Sequence, residues 1–286
     1  MFKQRYDELK IKAEACIKEH FVGGGFERLE KGMEYSLFAG GKRLRPIIML
    51  YMSEYFGVDE KKASAFCAAV EMIHTYSLIH DDLPALDNDD FRRGKPTNHK
   101  VFGEDFAVVN GDALLNLAYE TVLDVVENKD DIEAAKLLAS SAGHKGMCSG
   151  QAADLYYSDK ECDAKTVDYI NANKTGALLE ACFVCPAALA GREDMIPQLS
   201  KIGTLFGEVF QIKDDLLDRY GESEKLGKSV GKDDKDNKST TLNILGEEKT
   251  YELIDEKKNQ ILYMTDSIGG LTFLHELTEY IVERDR

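Results

Sequence analysis

The apolar residues of this chain recur almost everywhere with the period of an α-helix, not in the alternating pattern of a β-strand. The clearest apolar stripe runs over residues 63–76, and a second covers residues 202–210. No segment is a convincing strand, and neither a linker nor a solenoid repeat interrupts the pattern. The sequence therefore predicts an all-α protein with a single domain spanning residues 1–286.

Caps and helix breakers give the approximate helix boundaries. Asp59 suits the N-cap of the helix that carries the first stripe, and Pro46 suits the first turn of the preceding helix. Residues 163–190 could form one helix or two, with a kink before Pro186. The predicted helices cover residues 2–19, 27–38, 46–56, 59–81, 105–127, 131–146, 163–190, 194–219, 246–266 and 271–284.

Composition excludes several classes of partner. The formal net charge of −16 argues against nucleic acid and against anionic membrane surfaces. The N-terminal residues lack the layout of a signal peptide, and the uncharged run 181–190 is about half a membrane span. We expect a cytoplasmic protein. Cys182 and Cys185 form a C-x-x-C pair inside this apolar run, without a second pair or a histidine set, which predicts buried structural thiols.

Both apolar stripes lead into a pair of aspartates. The first pair is Asp81-Asp82 and the second is Asp214-Asp215, and each begins two residues after an isoleucine and is followed directly by leucine. Asp218 lies one helical turn after Asp214 and can face the same side. Two helices of this kind, facing each other, would gather carboxylates around a shared cavity.

The geometry after Asp81 depends on Pro84. A continuous helix would place Asp81 and Asp87 on nearly opposite faces, but Pro84 disfavours helical conformation at Leu83. We therefore predict that the helix ends near Asp82 and that the chain curls back, returning Asp87 to the side of Asp81. A bound cation would relieve the repulsion between these carboxylates and the helix C-terminal carbonyls.

The ligand atoms available favour magnesium. A single aspartate pair is more often part of a solvated acidic loop, but two such motifs, each ending an apolar helix, favour a metal site. A calcium-binding EF-hand starting at Asp87 fails, because the sixth loop position is not glycine and the twelfth is not glutamate. Carboxylates with few histidines nearby suit magnesium completed by water and diphosphate oxygens.

Several basic segments could bind the diphosphates. Residues 40–46 place Lys42, Arg43 and Arg45 in a glycine-rich turn before a helix start, where an anion is favoured. A second cationic cluster, Arg92-Arg93, follows the aspartates. The turn at residues 40–46 alone could equally be surface charge, and a single lysine later in the chain is more often solvated, but beside two metal motifs these basic groups together indicate a site for two diphosphates. The other candidates are Lys174 with Thr175, Lys228 and Lys238.

These motifs, in this order, resemble the trans-type (E)-prenyl diphosphate synthases, and most closely the bacterial farnesyl diphosphate synthases. The matches cover roughly residues 40–240. They are Gly41-Lys42-Arg43-Leu-Arg45-Pro46, His74 through Pro84, Arg92 through Thr97, Gly111-Asp112, Gly150-Gln151, Lys174-Thr175-Gly176, Phe210 through Asp218, and Lys225 through Lys228.

The resemblance implies an all-α isoprenoid synthase fold, normally a homodimer, that extends an allylic diphosphate with isopentenyl diphosphate. It implies three magnesium ions per active site, bound by Asp81, Asp87 and Asp214, with Asp82 and Asp218 acting through water or a second layer. The residues it implies for isopentenyl diphosphate are Gly41, Lys42, Arg45, His74 and Arg93. Those it implies for the allylic substrate are Arg92, Lys174, Thr175, Gln211, Lys228 and Lys238. Of these residues, Arg92, Lys174 and Lys228 would join the three metal aspartates as catalytic groups.

The residues before Asp81 would set product length. Tyr76, with Ser77 beside it, lies about one helical turn before Asp81 and could floor the cavity so that a fifteen-carbon chain fills it. The alternative is that Tyr76 is an ordinary core aromatic residue. The loop 221–239 is a plausible lid, because its glycines permit movement and closure would exclude water.

Some positions depart from the family pattern. Asn88 replaces a common aspartate, and Asn171 and Asn173 stand where basic residues are frequent. Thr241 and Leu242 replace a common tyrosine and proline, which makes the role of the nearby Lys238 less secure. The product could also have ten or twenty carbons. A class I terpene cyclase should lack the isopentenyl diphosphate residues, and a non-catalytic synthase subunit should have lost aspartates.

Overall fold

The computed structural model describes residues 1–158, 160, 162–220 and 240–284. The described chain divides into two compact units. The first unit comprises residues 3–135, and the second comprises residues 1–2 and 136–286. Both are helical, as the sequence predicted. A single domain spanning the chain stays a prediction.

The first unit contains the helices that lead to and follow the first aspartate pair. Helix α1 starts at Phe2, in the second unit, and α7 continues past residue 135 into it. The elements are α1 (Phe2–His20), α2 (Glu27–Leu37), α3 (Leu44–Phe56), α4 (Glu60–Asp81), β1 (Phe91–Arg92), β2 (Lys95–Pro96), α5 (Asn98–Phe102), α6 (Glu104–Leu123) and α7 (Lys129–Ala142).

Helix α4 is the core of the first unit. It packs against α2, α3 and α6, and this environment buries side chains on every face, with Phe66 and Ile73 fully inaccessible. Asp59 caps the helix, because its Oδ1 accepts the backbone N–H groups of Lys61 at 3.0 Å and Lys62 at 3.3 Å. The predicted cap and the predicted buried stripe are both confirmed.

The second unit is built around a long helix, α11, that packs against α10 and α13. Its described elements are α8 (Met147–Tyr157), α9 (Ala164–Asn171), a π-helical turn (Ala172–Gly176), α10 (Ala177–Leu189), a 3₁₀ turn (Glu193–Met195), α11 (Ile196–Tyr220), α12 (Thr241–Leu245), α13 (Glu247–Ile268) and α14 (Thr272–Glu283).

A π-helical turn at residues 172–176 joins the two helices of segment 163–190. Pro186 stands inside α10. The apolar pattern of the sequence continues without a break after Gly176, so it gives no sign of the π turn that ends there. Cys182 and Cys185 are fully buried in α10, as predicted.

A short hairpin was not predicted from the sequence. Strands β1 and β2 pair antiparallel, with Phe91 opposite Pro96 and Arg92 opposite Lys95. Each strand has two residues, too few for an alternating pattern to be visible. Helix α8, also missed, contains Gly150 and lacks a side-chain N-cap. Among the described helices, none is long and apolar enough to cross a membrane.

The cap of α4 gives a direct test of its contribution to stability. We expect Asp59→Ala to lower the free energy of unfolding by about 1 kcal/mol, because two backbone N–H groups lose their acceptor. Asp59→Ser, which retains an acceptor oxygen, should recover most of the loss. Denaturant unfolding followed by circular dichroism measures both variants, and an alanine variant as stable as the parent protein would contradict the capping role.

Candidate active site

The first aspartate motif has the geometry predicted from Pro84. Helix α4 ends at Asp81, and the backbone N–H of Asp87 donates to the carbonyl oxygen of Asp81 at 2.9 Å. The N–H groups of Leu86 and Asn88 both donate to the carbonyl oxygen of Leu83, closing a compact turn. The chain therefore returns Asp87 to the end of the helix.

Asp82 has different surroundings from Asp81. Its side chain is buried and forms an ion pair with Arg92, whose Nε and Nη2 lie 2.7 Å and 2.6 Å from Asp82 Oδ1. Burial raises the pKa of Asp82 to about 6. The guanidinium group of Arg92 acts to lower this pKa, and the carboxylates of Asp89 and Asp81 act to raise it. This pairing holds Arg92 beside the aspartate turn.

The donor atoms in this turn fit magnesium. Asp81 and Asp87 are half-buried carboxylates brought to one place by the backbone. Within the described residues, no group of three His, Cys, Asp or Glu side chains could hold an ion by itself. Magnesium commonly takes one or two protein carboxylates and completes its shell with water and phosphate oxygens.

Four arginines and a histidine form a cationic cluster in the first unit: Arg43, Arg45, Arg92, Arg93 and His74. Burial, followed by the charges of these four arginines, lowers the pKa of His74 well below its usual value. Burial also lowers the pKa of Arg93, and Arg43, Arg92 and Arg45 lower it further. The structure therefore brings together Arg45, His74 and Arg93, three of the residues predicted to bind isopentenyl diphosphate.

Two of the clustered arginines have strained backbones. Arg43 has φ 54° and Arg93 has φ 53°, in the left-handed region that L-residues other than glycine seldom adopt. Arg93 and Gly94, at φ 75°, are the two loop residues of the β1–β2 hairpin, and positive φ at both fits a type I′ turn. The tight turn fixes the direction in which Arg93 leaves the backbone.

The predicted Gly41–Lys42 segment approaches this cluster closely. A Cβ built on Gly41 would lie 3.0 Å from Cζ of Arg93, and Gly41 has φ 129°. A side chain at this position would therefore crowd the guanidinium group. Lys42 is exposed, and its carbonyl oxygen accepts the hydroxyl of Tyr6 at 2.6 Å.

In the second unit, the predicted allylic-site residues join hydrogen-bonded pairs. Lys174 Nζ lies 2.7 Å from Asp154 Oδ2. The Thr175 hydroxyl donates to Gln211 Oε1 at 2.8 Å, and Gln211 Nε2 donates to Asp215 Oδ1 at 3.0 Å. This chain of bonds fixes the hydroxyl and the amide with respect to α11.

Two glycines allow helices to close around the π turn that carries Lys174 and Thr175. A Cβ on Gly150 would lie 2.0 Å from the backbone nitrogen of Lys174, and one on Gly207 would lie 2.7 Å from Cα of Gly176. Helices α8 and α11 therefore touch the turn backbone to backbone. π turns are frequent at functional sites.

The second aspartate motif contains an unexpected partner. Arg284, at the end of α14, is buried and its Nη2 donates to Asp214 Oδ1 at 2.5 Å and to the carbonyl oxygen of Phe210 at 3.2 Å. Its guanidinium group also lies 4.3 Å from the centroid of the Phe210 ring. Asp218, one turn further, is buried. Asp214 is a half-exposed carboxylate whose second oxygen is not in this bond, so it retains a donor atom of the kind magnesium prefers.

The proposed floor residue, Tyr76, is buried in α4 and its ring packs edge-on against His80, with ring centroids 5.7 Å apart. Gly111 makes room for this histidine, because a Cβ there would lie 2.2 Å from His80 Nε2. The Ser77 hydroxyl donates to the carbonyl oxygen of His74 at 2.9 Å, which directs it back along the helix.

Some predicted residues lie outside the described residues, and some described partners were not predicted. Lys228, Lys238 and the proposed lid 221–239 belong to the first group. The partners missed from the sequence are Glu71, Asp154 and Arg284. Glu71 had a signal: it is the one charged residue in the predicted stripe 63–76 apart from His74. Asp154 lies three residues after Gln151, in the helix that was not predicted.

The polyprenyl synthetase family profile matches residues 26–266, and relatives more than 40% identical cover most of the chain. This chain belongs to the polyprenyl synthetase family. The resemblance identified from its motifs is therefore confirmed, together with the isoprenoid synthase fold.

Known members of the family differ in the activity for which they are named. The dimethylallyltranstransferase of Fischerella ambigua is 44% identical, over 96% of this chain and 81% of that protein. The farnesyl diphosphate synthase of Bacillus subtilis is 43% identical, over 91% of this chain and 90% of that protein. Other relatives, from Arabidopsis thaliana and Capsicum annuum, are geranylgeranyl pyrophosphate synthases.

A solved structure supports both the fold and the metal. The geranyltransferase of Helicobacter pylori, complexed with magnesium and isoprenyl diphosphate, superposes with a TM-score of 0.83 at 27% identity. The match covers 97% of this chain and 96% of that one. Magnesium is accordingly the metal of this family.

Because Gly150 lies so close to the π turn, we expect alanine at this position to destabilise the protein, although alanine has the higher helix propensity. Replacing a helical glycine by alanine normally stabilises by about 0.5–1 kcal/mol. Here we expect Gly150→Ala to destabilise by about 1–3 kcal/mol, because the new methyl would displace the π turn. Thermal unfolding of the variant provides the measurement. Gly25→Ala, whose Cβ would lie 3.4 Å from the nearest side-chain atom, is the control, and a stabilised Gly150→Ala protein would refute the contact.

Proposed function

We propose that this protein is a magnesium-dependent (2E,6E)-farnesyl diphosphate synthase. It would condense isopentenyl diphosphate with dimethylallyl diphosphate and then with geranyl diphosphate. The observation that carries the proposal is the arrangement at the end of α4. There, a turn joins Asp81 to Asp87 beside a buried pair between Asp82 and Arg92 and a cationic cluster that includes Arg93. Family membership supplies the reaction class.

The proposed metal ligands are Asp81 and Asp87 from the first motif and Asp214 from the second. The two motifs would act together on one allylic diphosphate, with three magnesium ions per active site. When bound, these ions neutralise diphosphate charge as the allylic C–O bond breaks. Asp82 and Asp218, both buried, suit the indirect roles that the resemblance implies for them.

The proposed anion ligands differ in how firmly they are fixed. Arg92 and Lys174 are each held by a carboxylate, from Asp82 and Asp154 respectively, and would stabilise negative charge on the departing diphosphate. Thr175 and Gln211 present fixed dipoles to the same substrate. Lys228 and Lys238, outside the described residues, retain their predicted roles towards it.

The homoallylic substrate, isopentenyl diphosphate, would bind at Gly41, Lys42, Arg45, His74 and Arg93. Because burial and four arginines disfavour protonation of His74, we propose that it is a neutral hydrogen-bonding group at neutral pH. The substrate's double bond attacks the allylic carbocation, forming the new C–C bond, and a proton is then lost to the released diphosphate. No histidine base is required for this step.

Two further features of the proposal rest on the family. The homodimer is proposed from the resemblance to the family alone. Products of ten or twenty carbons are the second candidates, favoured by the relatives named for those activities.

A terpene cyclase or a non-catalytic subunit is disfavoured by the intact basic cluster and both aspartate motifs. The cytoplasmic location stays a prediction.

Incubation with magnesium, labelled isopentenyl diphosphate and each allylic primer tests the function directly. We expect Asp81→Ala and Asp214→Ala each to reduce turnover by at least about a hundredfold, because each variant would lose a ligand of the magnesium ions whose positive charge would stabilise the departing diphosphate. Asp90→Ala is the matched control, since Asp90 is exposed in the same acidic run and pairs with Lys100. Near-normal rates from either aspartate variant, with helical circular dichroism retained, would reject the metal assignment.

Product length tests the role of Tyr76. We expect Tyr76→Ala to shift products towards twenty carbons, because removing the ring deepens the cavity above Asp81. Reversed-phase chromatography of the dephosphorylated products measures the shift. Phe66→Leu, also buried but about four helical turns from Asp81, controls for loss of core packing. An unchanged profile would identify Tyr76 as a core residue only.

A further inference from the structure

Glu71 is a buried carboxylate among arginines in the first unit. Its side chain is almost fully inaccessible. Its Oε1 accepts Nη1 of Arg43 and lies 3.7 Å from Nη2 of Arg93. One oxygen therefore contacts two guanidinium groups that come from separate segments of the chain.

The two arginines that Glu71 contacts are also two of the three described non-glycine residues with positive φ. Arg43 is the N-cap of α3, and Arg93 stands in the hairpin loop. A left-handed conformation costs an L-residue about 1–2 kcal/mol and persists only where the surroundings hold it. For both residues, the Glu71 carboxylate is a contact that could supply this restraint.

The charges in the cluster make such a restraint necessary. Arg43, Arg45 and Arg92 all disfavour the charged state of Arg93, whereas Glu71 favours it. Arg43 has a second anchor, because its Nη2 donates to the carbonyl oxygen of Leu37 at 2.7 Å. Arg93 is less buried, with a side chain 20% exposed. Without Glu71, repulsion from Arg43 would push Arg93 towards solvent.

We infer that Glu71 is a positioning residue that holds Arg93 in place for the diphosphate of the homoallylic substrate. The position of Glu71 on α4, one helical turn before His74, lets a single helix supply one proposed ligand and orient another. The inference rests on the proposed function for the identity of the substrate. The contact itself does not depend on it.

Neutralising Glu71 has two opposing effects on anion binding. Loss of its negative charge makes the cluster more positive, which by itself favours a diphosphate. Loss of its contacts leaves Arg93 to be ordered when the substrate binds, at an entropic cost. If positioning dominates, affinity falls, whereas an effect of charge alone would raise it. The sign of the change therefore separates the two roles.

The first experiment measures substrate affinity and turnover. We expect Glu71→Gln to weaken binding of isopentenyl diphosphate, measured by isothermal titration without an allylic primer, by about tenfold. Its KM should rise in proportion while kcat and the KM for geranyl diphosphate change by less than about threefold, the pattern of lost ground-state binding. Glu71→Asp, which keeps the charge but is shorter by one methylene, should weaken binding too. Unchanged or tighter binding by both variants would overturn the inference.

The second experiment requires no substrate. Amide hydrogen exchange of the hairpin, residues 91–95, should be faster in Glu71→Gln than in the parent protein, because Arg93 is no longer held. Unchanged exchange would overturn the inference whatever the substrate proves to be. Failure of the parent protein to bind isopentenyl diphosphate would instead contradict the proposed function, and the exchange result would still decide the role of Glu71.

Asp131→Asn is the matched control for loss of a buried ion pair. Asp131 is fully buried, and its Oδ2 accepts Lys62 Nζ at 2.8 Å and the backbone N–H of Glu127 at 2.9 Å. Its partners lie outside the arginine cluster. We expect this variant to lose thermal stability while keeping parent-like affinity for isopentenyl diphosphate and parent-like hairpin exchange. A change in affinity equal to that of Glu71→Gln would show a general effect of destabilisation and overturn the inference.

Discussion

The structure depends on holding several positively charged arginine side chains close together despite their mutual repulsion. Guanidinium groups beside α4 repel one another, and buried cations without partners are costly. The chain offsets this with carboxylates buried at the same places: Glu71 beside Arg43 and Arg93, and Asp82 beside Arg92. The result is a cationic surface whose groups are fixed before any anion arrives, so that less ordering cost remains at binding.

The second unit uses the same arrangement with different residues. Asp154 holds Lys174, and Arg284 contacts Asp214. In one pair the carboxylate supports a proposed anion ligand, and in the other a cation contacts a proposed metal ligand. In both pairs, a predicted functional charge has an internal partner of opposite sign. Such pairing keeps isolated charges from raising the energy of the fold, while the ligands' remaining atoms can still bind substrate or metal.

Sequence patterns predicted features that arise from local rules. The period of α4, its cap at Asp59 and the return of Asp87 after Pro84 all follow from backbone geometry over a few residues, and all three are present. The π turn at residues 172–176 and the proximity of Gly150 to Lys174 were not predictable, because they result from packing between helices far apart in sequence. Glu71 was overlooked because its partners also come from distant segments, although a carboxylate in an apolar stripe requires a partner.

The strained backbone at Arg43 and Arg93 is explained by what those positions must supply. Glycine would adopt the same φ without strain, but it has no side chain. Asparagine tolerates the left-handed region better than arginine but carries no charge. Only arginine offers a permanently charged planar fork that matches two oxygens of a phosphate or carboxylate at once. A cost of about 1–2 kcal/mol per strained residue is comparable to the roughly 1.5–3 kcal/mol that one hydrogen bond to a charged group returns. The strain is therefore sustainable where the guanidinium group has a partner in the folded state, and Glu71 provides a hydrogen bond to Arg43 and an ion pair at 3.7 Å to Arg93.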